Sequence, residues 1–188
     1  MGTLGLGLEP LAAALEAVAA RLAGSTMVVV DPNCRPSAID DPGAYRTRLR
    51  RVMQMSDIVQ VSEEDVAWLH PGRPALESAR ASRARPAAVL LTRGAGGATV
   101  LTRDGDTPVA AVPVVVVDTI GAGDAFSGGF LAWWSSHALG REDLARHELV
   151  VEAARFAAVV AARTVARAGA SPPVLAADAP ALLGVRSL

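Results

Sequence analysis

The 188-residue chain contains no lysine, and all 18 of its basic residues are arginine. Chemistries that need a primary amine therefore fall away. A P-loop sets a lysine on the β- and γ-phosphates, a protein kinase uses a strand lysine, and imine-forming aldolases and pyridoxal enzymes need a nucleophilic amine. Alongside 38 alanines, the missing lysine reads as a GC-rich coding bias rather than selection at a site. Cysteine is almost missing as well. The one copy, Cys34, has no partner for an internal disulfide and is too few for a zinc cluster. An excess of charge of either sign is also lacking, since the net charge is −1 and the isoelectric point near 6.3. That leaves no general electrostatic attraction for nucleic acid or an anionic membrane. Long apolar runs are absent too: Phe156–Ala162 falls far short of the roughly 20 residues that span a bilayer. Met1 is not followed by a basic segment and a signal-like apolar core. The expectation is a soluble, cytoplasmic protein with neither nucleic acid nor membrane as a partner.

What is present is a chain with 51% hydrophobic residues, enough to build one compact domain over 1–188 or half of a larger layered protein. Helical and β-branched stretches alternate. Leu8–Leu22 has apolar residues at helical spacing, and Thr26–Val30 reads as a buried parallel strand ending at Asp31. Tyr45–Met55 predicts an arginine-rich surface helix, and Ile58–Val61 a second buried strand. Ser62-Glu-Glu-Asp65 reads as an N-cap with acidic residues in the first turn of a short helix. Leu76–Arg85 predicts a weaker helix, Ala87–Leu91 a third strand, and Ala98–Thr102 an antiparallel neighbour. The turn at Asp104-Gly-Asp106 leads to a strand over Val109–Val117. Ala122–Ala138 and His147–Ala166 predict two long helices, the second largely buried. Pro172–Leu188 reads as a surface tail, whereas Met1–Gly7 has the glycine content of a loop inside a domain. The alternation implies α/β class: three layers on a mostly parallel sheet.

The sharpest feature is Asp118-Thr-Ile-Gly-Ala-Gly-Asp-Ala-Phe126, set between an expected strand at Val114–Val117 and a long helix. A strand, a glycine turn and a helix aim several backbone N–H groups at one point, which makes an anion site. Gly121 and Gly123 allow close approach of a ligand to the main chain. A dinucleotide-binding reading fails on spacing, because Phe126 stands where a small residue is required. Asp124 then has two readings. It is a first-turn acid or cap of the helix, or it is a base that takes the proton of a hydroxyl attacking a phosphoryl group.

These residues carry a resemblance. Asp118-Thr-x-Gly-Ala-Gly-Asp-x-Phe126 resembles the C-terminal signature of the ribokinase-like (PfkB) carbohydrate kinases. Asp31-Pro-Asn-Cys-Arg-Pro36 resembles a segment of the fructokinase-like and 2-keto-3-deoxygluconate kinase-like members. Ser62-Glu-Glu-Asp65, Thr92-Arg-Gly94 with Gly97, and Gly169-Ala170 follow in the family's order. The resemblance implies a ribokinase-like fold represented by its C-terminal, nucleotide-binding portion, with the lid and the N-terminal half missing. It implies ATP-dependent phosphoryl transfer to a sugar hydroxyl, with Asp124 as catalytic base and the amides of Gly121, Ala122 and Gly123 as anion hole. Asp118 would contact the sugar or order a monovalent-cation loop, K⁺ being the ion in question, and Asn33 and Arg35 would face substrate. Thr92, Gly94 and Gly97 would lie near the nucleotide phosphates, and Gly169 and Ala170 near the adenine. Asp65, standing for the family's glutamate, would reach Mg²⁺ through water, although Ser62 replaces the family's asparagine there.

The alternative is a nucleotide-binding fragment or pseudokinase that transfers no phosphate. The remaining polar and aromatic residues invite plainer readings. Cys34 is a small buried hydrophobe, and His70, His137 and His147 are solvated or capping. Trp133 and Trp134 divide between the core and a surface. Arg46, Arg48, Arg50 and Arg51 form a solvated helix face. An apolar strand edge left by Thr26–Val30 implies self-association or a homodimer.

Overall fold

The structure is a computed structural model that describes residues 3–82 and 87–172. The chain divides into two compact units, Met1–Arg93 with Leu101–Asp106, and Gly94–Val100 with Thr107–Leu188. Five strands form a sheet in the order β1-β2-β3-β4-β5: Val29–Val30, Ile58–Ser62, Ala88–Thr92, Ala98–Thr102 and Asp106–Val109. The first three run parallel, with Val30 opposite Val59 and Ser62 opposite Thr92. The short links from β3 to β4 and from β4 to β5 cannot make a parallel crossover, which needs a dozen or more residues, so the sheet is mixed.

In the first unit, α1 (Thr3–Gly7) and α2 (Leu11–Leu22) precede β1, α3 (Pro42–Met55) lies between β1 and β2, and α4 (Glu63–Leu69) and α5 (Ala75–Ser82) lie between β2 and β3. The expected loop at the start is therefore helical from Thr3, with Leu6 buried in the core. Asp41 starts α3: its carboxylate accepts the Gly43 and Ala44 amides at 2.9 Å, and Pro42 supplies the preset backbone of a first helical residue. Tyr45, Leu49, Val52 and Met53 then turn one face of α3 onto Val59, Val61, Val89 and Leu91 of the strands. The expected helix over Leu76–Arg85 is found as Ala75–Ser82, its last residues lying outside the described ones, as does the tail from 173 on.

Two expectations in this unit change. Only Val29 and Val30 of the stretch Thr26–Val30 pair with β2. Val28 and Val30 are buried while Met27 and Val29 are half-exposed, the alternation of an edge strand rather than one enclosed on both faces. The arginines of α3 are not a uniformly solvated face. Arg48 pairs with Glu9 and Glu16, Arg51 pairs with Glu16, and Arg46 donates to the Trp68 carbonyl at 3.0 Å while lying over the Trp68 ring. The carboxylates that recruit Arg48 and Arg51 belong to α2 and the turn before it, which periodicity within α3 cannot reveal.

In the second unit α6 (Ala122–Ser136) packs on α7 (His147–Val165). Gly129 is the contact point, since a Cβ there would stand 3.0 Å from Ala157 Cα and Val160 Cβ. Trp133 and Trp134 are both buried, with Phe130 stacked on Trp134 and the Trp134 indole donating to the Gly140 carbonyl. His137 caps the end of α6 and stacks on Trp133, and His147 lies 2.7 Å from the Thr107 hydroxyl. The strand expected over Val109–Val117 stops at Val109, and Val115 is 84% exposed. A β-branched run becomes a strand only where a neighbour supplies the ladder. At the end of the run the Val117 and Asp118 amides both donate to the single carbonyl of Val165.

Gly97 illustrates how tightly β4 is entered. Its φ is +80°, and a Cβ would lie 2.2 Å from the Val109 carbonyl oxygen and 2.7 Å from the Ala111 nitrogen. Gly97→Ala is therefore expected to destabilise the protein by about 2–4 kcal/mol through strain and collision. Urea denaturation followed by circular dichroism would show a lowered midpoint, and an unchanged midpoint would refute the crowding.

Candidate functional site

The carboxyl ends of the parallel strands bring one group of the expected residues to a common edge of the first unit. Asp31 follows β1, Ser62 ends β2 and Thr92 ends β3, the last two directly opposite in register. Such an edge is where open α/β sheets bind ligands. Asp31 accepts from the Gln60 side chain at 2.9 Å, and Thr92 donates to the Val61 carbonyl at 3.4 Å. Asn33 stands at φ +43°, a left-handed backbone that asparagine tolerates better than most residues, and such outliers gather at functional loops. Arg35 is exposed and folds back on its own loop, donating to the Asn33 and Cys34 carbonyls at 3.3 and 3.1 Å.

Asp65 has the most defined role in this group. It is 4% exposed. One carboxylate oxygen accepts the Cys34 amide at 2.5 Å, and the other accepts the Ser62 amide and hydroxyl at 2.9 Å. The Ser62 hydroxyl in turn accepts the Asp65 amide at 3.0 Å, completing a capping box at the start of α4. The carboxylate thus fastens the Asp31–Arg35 loop to α4. Beside it, burial first and the Asp65 charge second push the Cys34 thiol up to about 12, so it stays protonated and inert. Burial likewise pushes the Tyr45 hydroxyl up.

This arrangement does not fit the expected Mg²⁺ role of Asp65, whose oxygens are enclosed and already serve amides and a hydroxyl. Among the described residues no group of three His, Cys, Asp or Glu side chains could hold a metal ion. Asp118, expected to contact the sugar or order a cation loop, accepts backbone amides through both carboxylate oxygens.

Asp118 belongs to the second unit and organises the glycine turn. It accepts the Ile120 amide at 3.0 Å and the Gly169 amide at 2.9 Å, joining the turn before α6 to the segment after α7. The second bond links residues far apart in sequence and has no local signal. These amide bonds hold the Asp118 carboxyl below its ordinary range, the Ile120 amide contributing most. A lowered folded value means the tie is complete above the ordinary carboxylate range and is lost as pH falls through the lower, folded value. Acidification from pH 7 to pH 3 is thus expected to shift the Ile120 and Gly169 amide resonances together, with a midpoint below that of exposed aspartates. Shifts at the ordinary midpoint would show that the tie does not form.

Gly121 caps α6 with a left-handed backbone, φ +77°, and packs so closely on the segment after α7 that a Cβ would be 2.8 Å from the Ala170 Cβ. Only glycine fits there. Of the amides expected to form an anion hole, that of Ala122 donates to the Thr119 carbonyl at 3.2 Å. Asp124, in the first turn of α6, is exposed, and no side chain caps this helix. Its carboxylate has no hydrogen-bond or ion-pair partner among the described residues. The capping reading of Asp124 therefore has no bond to support it. The structure brings Asp118, Gly121, Asp124, Gly169 and Ala170 into this second group, while Asn33, Arg35, Asp65 and Thr92 form the first.

Comparison with known proteins defines the class. The profile of the pfkB family carbohydrate kinases matches residues 4–177. The chain belongs to that family. A fructokinase of Rhizobium leguminosarum bv. trifolii is 38% identical over 133 residues, covering 70% of this chain and 40% of that protein. The crystal structure of the fructokinase of Vibrio cholerae O395, in a form with fructose, ADP and calcium ion bound, superposes with a TM-score of 0.80 at 26% identity over 90% of this chain and 55% of that one. The aminoimidazole riboside kinase of Salmonella enterica, complexed with aminoimidazole riboside and an ATP analog, gives 0.78 at 27% identity, over 90% and 56%. The chain spans about half the length of these relatives or less. The fold is accordingly that of the ribokinase-like kinases. Among the described residues no helix is long and apolar enough to cross a membrane.

Proposed function

We propose that this chain is the ATP-dependent phosphoryl-transfer portion of a fructokinase-like sugar kinase. The observation that carries the reading is Asp124, a carboxylate exposed in the first turn of α6 and without a partner among the described residues, beside a turn that only glycine can make. In this mechanism Asp124 accepts the proton of the attacking sugar hydroxyl. The transferring phosphoryl sits at the N-terminus of α6, where the Gly121, Ala122 and Gly123 amides and the helix dipole meet its negative charge. The Ala122 amide also donates to the Thr119 carbonyl within the turn. Asp118 positions this turn through its tie to Gly169. Thr92, Gly94 and Gly97 serve the nucleotide phosphates, and Gly169 and Ala170 the adenine end. Asn33 and Arg35 serve the sugar, an arginine fork being suited to oxygen-rich ligands. Asp65 acts as the clasp of that loop, and no step is assigned to a metal held by it.

The relatives supply the substrate class: fructokinases point to a ketohexose, and the solved relatives hold ADP with fructose, or an ATP analog with aminoimidazole riboside. The exposed valines before α6 further imply that copies of the chain associate. The test is ADP formation from ATP with fructose and a panel of other sugars. It is run on the chain alone and on the chain mixed with the part of the Rhizobium fructokinase that lies outside the matched stretch. Sugar-dependent ADP formation in the mixture supports the reading. Calorimetric binding of ATP without any sugar-dependent turnover would instead leave a nucleotide-binding fragment.

A further inference from the structure

α3 carries four arginines, and they meet two different fates. Arg48 and Arg51 are neutralised by Glu9 and Glu16. Arg46 and Arg50 instead line a concavity bounded by α3 and by the C-terminal ends of α4 and α5, together with Leu49, Met53, Leu69 and His70. Among the described residues no carboxylate lines it. Arg46 is fixed in place by the Trp68 ring, 4.2 Å from its guanidinium, and by the Trp68 carbonyl, and its Nε is buried with no hydrogen-bond partner. Arg50 is exposed and has no ion-pair partner among the described residues.

The end of α4 would ordinarily present negative carbonyls here. Two of them are already used, the Trp68 oxygen by Arg46 and the Val66 oxygen by the His70 amide. The charged groups around His70 are Arg46 and Arg50 of α3 and Arg73 after α4. On α5, Glu77 lies 3.8 Å from Arg73, and Arg80 is paired with Asp106. The balance is positive. Its effect is visible at His70, whose proton affinity is lowered first by burial and then by Arg73, Arg50 and Arg46. The concavity has a volume of about 160 Å³, close to that of cavities that admit one benzene ring.

We propose that this concavity binds a small organic anion, a phosphate monoester or a carboxylate carried on an apolar body about the size of one ring. Arg46 and Arg50 offer the guanidinium forks that such oxygens accept from. Leu49, Met53 and Leu69 form the apolar floor for the body. All these residues lie in the first unit, and the site is independent of the glycine turn before α6.

The test uses the full chain and proton NMR of the His70 imidazole as pH is varied, with phenyl phosphate and benzoate as probes. Benzyl alcohol and inorganic phosphate serve as the apolar-only and charge-only controls. Binding is expected to raise the His70 midpoint while leaving His137 and His147 unmoved. An anion bound at α6 instead would bind undiminished to the Arg50→Glu variant. Arg50→Glu is expected to raise the His70 midpoint without any probe and to weaken probe binding on the order of tenfold or more, while Arg50→Lys retains part of it. Because Arg50 is exposed, the His137 and His147 signals should confirm that both variants stay folded. Response to phenyl phosphate alone assigns a phosphate ester, and response to benzoate alone a carboxylate. The proposal is overturned if neither probe moves His70, if benzyl alcohol or inorganic phosphate binds as well as either probe, or if Arg50→Glu binds undiminished.

Discussion

Asp124→Asn is expected to lower sugar-dependent ADP formation by roughly 10²–10⁴-fold, the usual contribution of a positioned base, while ATP affinity stays within about twofold. The asymmetry follows from where the carboxylate stands. It is exposed and makes no capping bond, so replacing it by an amide of the same shape removes no structural contact. Its loss costs the fold no more than the favourable interaction of a first-turn acid with the helix dipole. On the proposed mechanism the larger effect falls where the hydroxyl gives up its proton in the transition state. The helix N-terminus, proposed to meet the phosphates, is left intact by this change. Steady-state kinetics on the complemented chain, with calorimetry for ATP, separates the two quantities. Turnover within a few-fold of the parent would refute the assignment, and a lowered denaturation midpoint with proportionate loss of both quantities would return Asp124 to a structural role.

The glycine turn was legible in the sequence because its chemistry is local. Gly121, Gly123 and Asp124 fall within one helical turn, and a glycine at a left-handed cap leaves its mark in residue type alone. The parallel strands Ile58–Ser62 and Ala88–Thr92 were legible for a similar reason, being short apolar runs with helices on either side. What stayed hidden depends on partners distant along the chain. Nothing near Asp118 announces the Gly169 amide, and nothing near Asp65 announces the Cys34 amide. The same holds for the α3 arginines, whose roles are decided by Glu9, Glu16 and Trp68. The valines before α6 were misread because composition reports only that a residue suits a pleated surface. It does not report whether a neighbouring strand exists.

Those valines carry the second large effect. Val112, Val114, Val115, Val116, Val117 and Ile120 are all exposed within one short stretch, a contiguous apolar surface of the kind that marks an interaction site. The stretch belongs to no strand, and a β-branched run without a partner is open to pairing with another chain. Pro113 lacks an N–H and interrupts pairing at its own position, but the four consecutive valines that follow it carry no such gatekeeper. At tens of micromolar the chain is therefore expected to sediment well above its 19.3 kDa mass. Val115→Glu with Val117→Glu is expected to shift it strongly toward the monomer. Folding should be spared, because side chains this exposed contribute within about 0.5 kcal/mol each to stability. Equilibrium sedimentation of both forms, with circular dichroism to confirm that each is folded, decides the matter. A parent chain that sediments as a 19.3 kDa monomer would show that the valines are tolerated by solvent. An associated double-glutamate variant would move the contact elsewhere, to β1, the terminal strand of the sheet order.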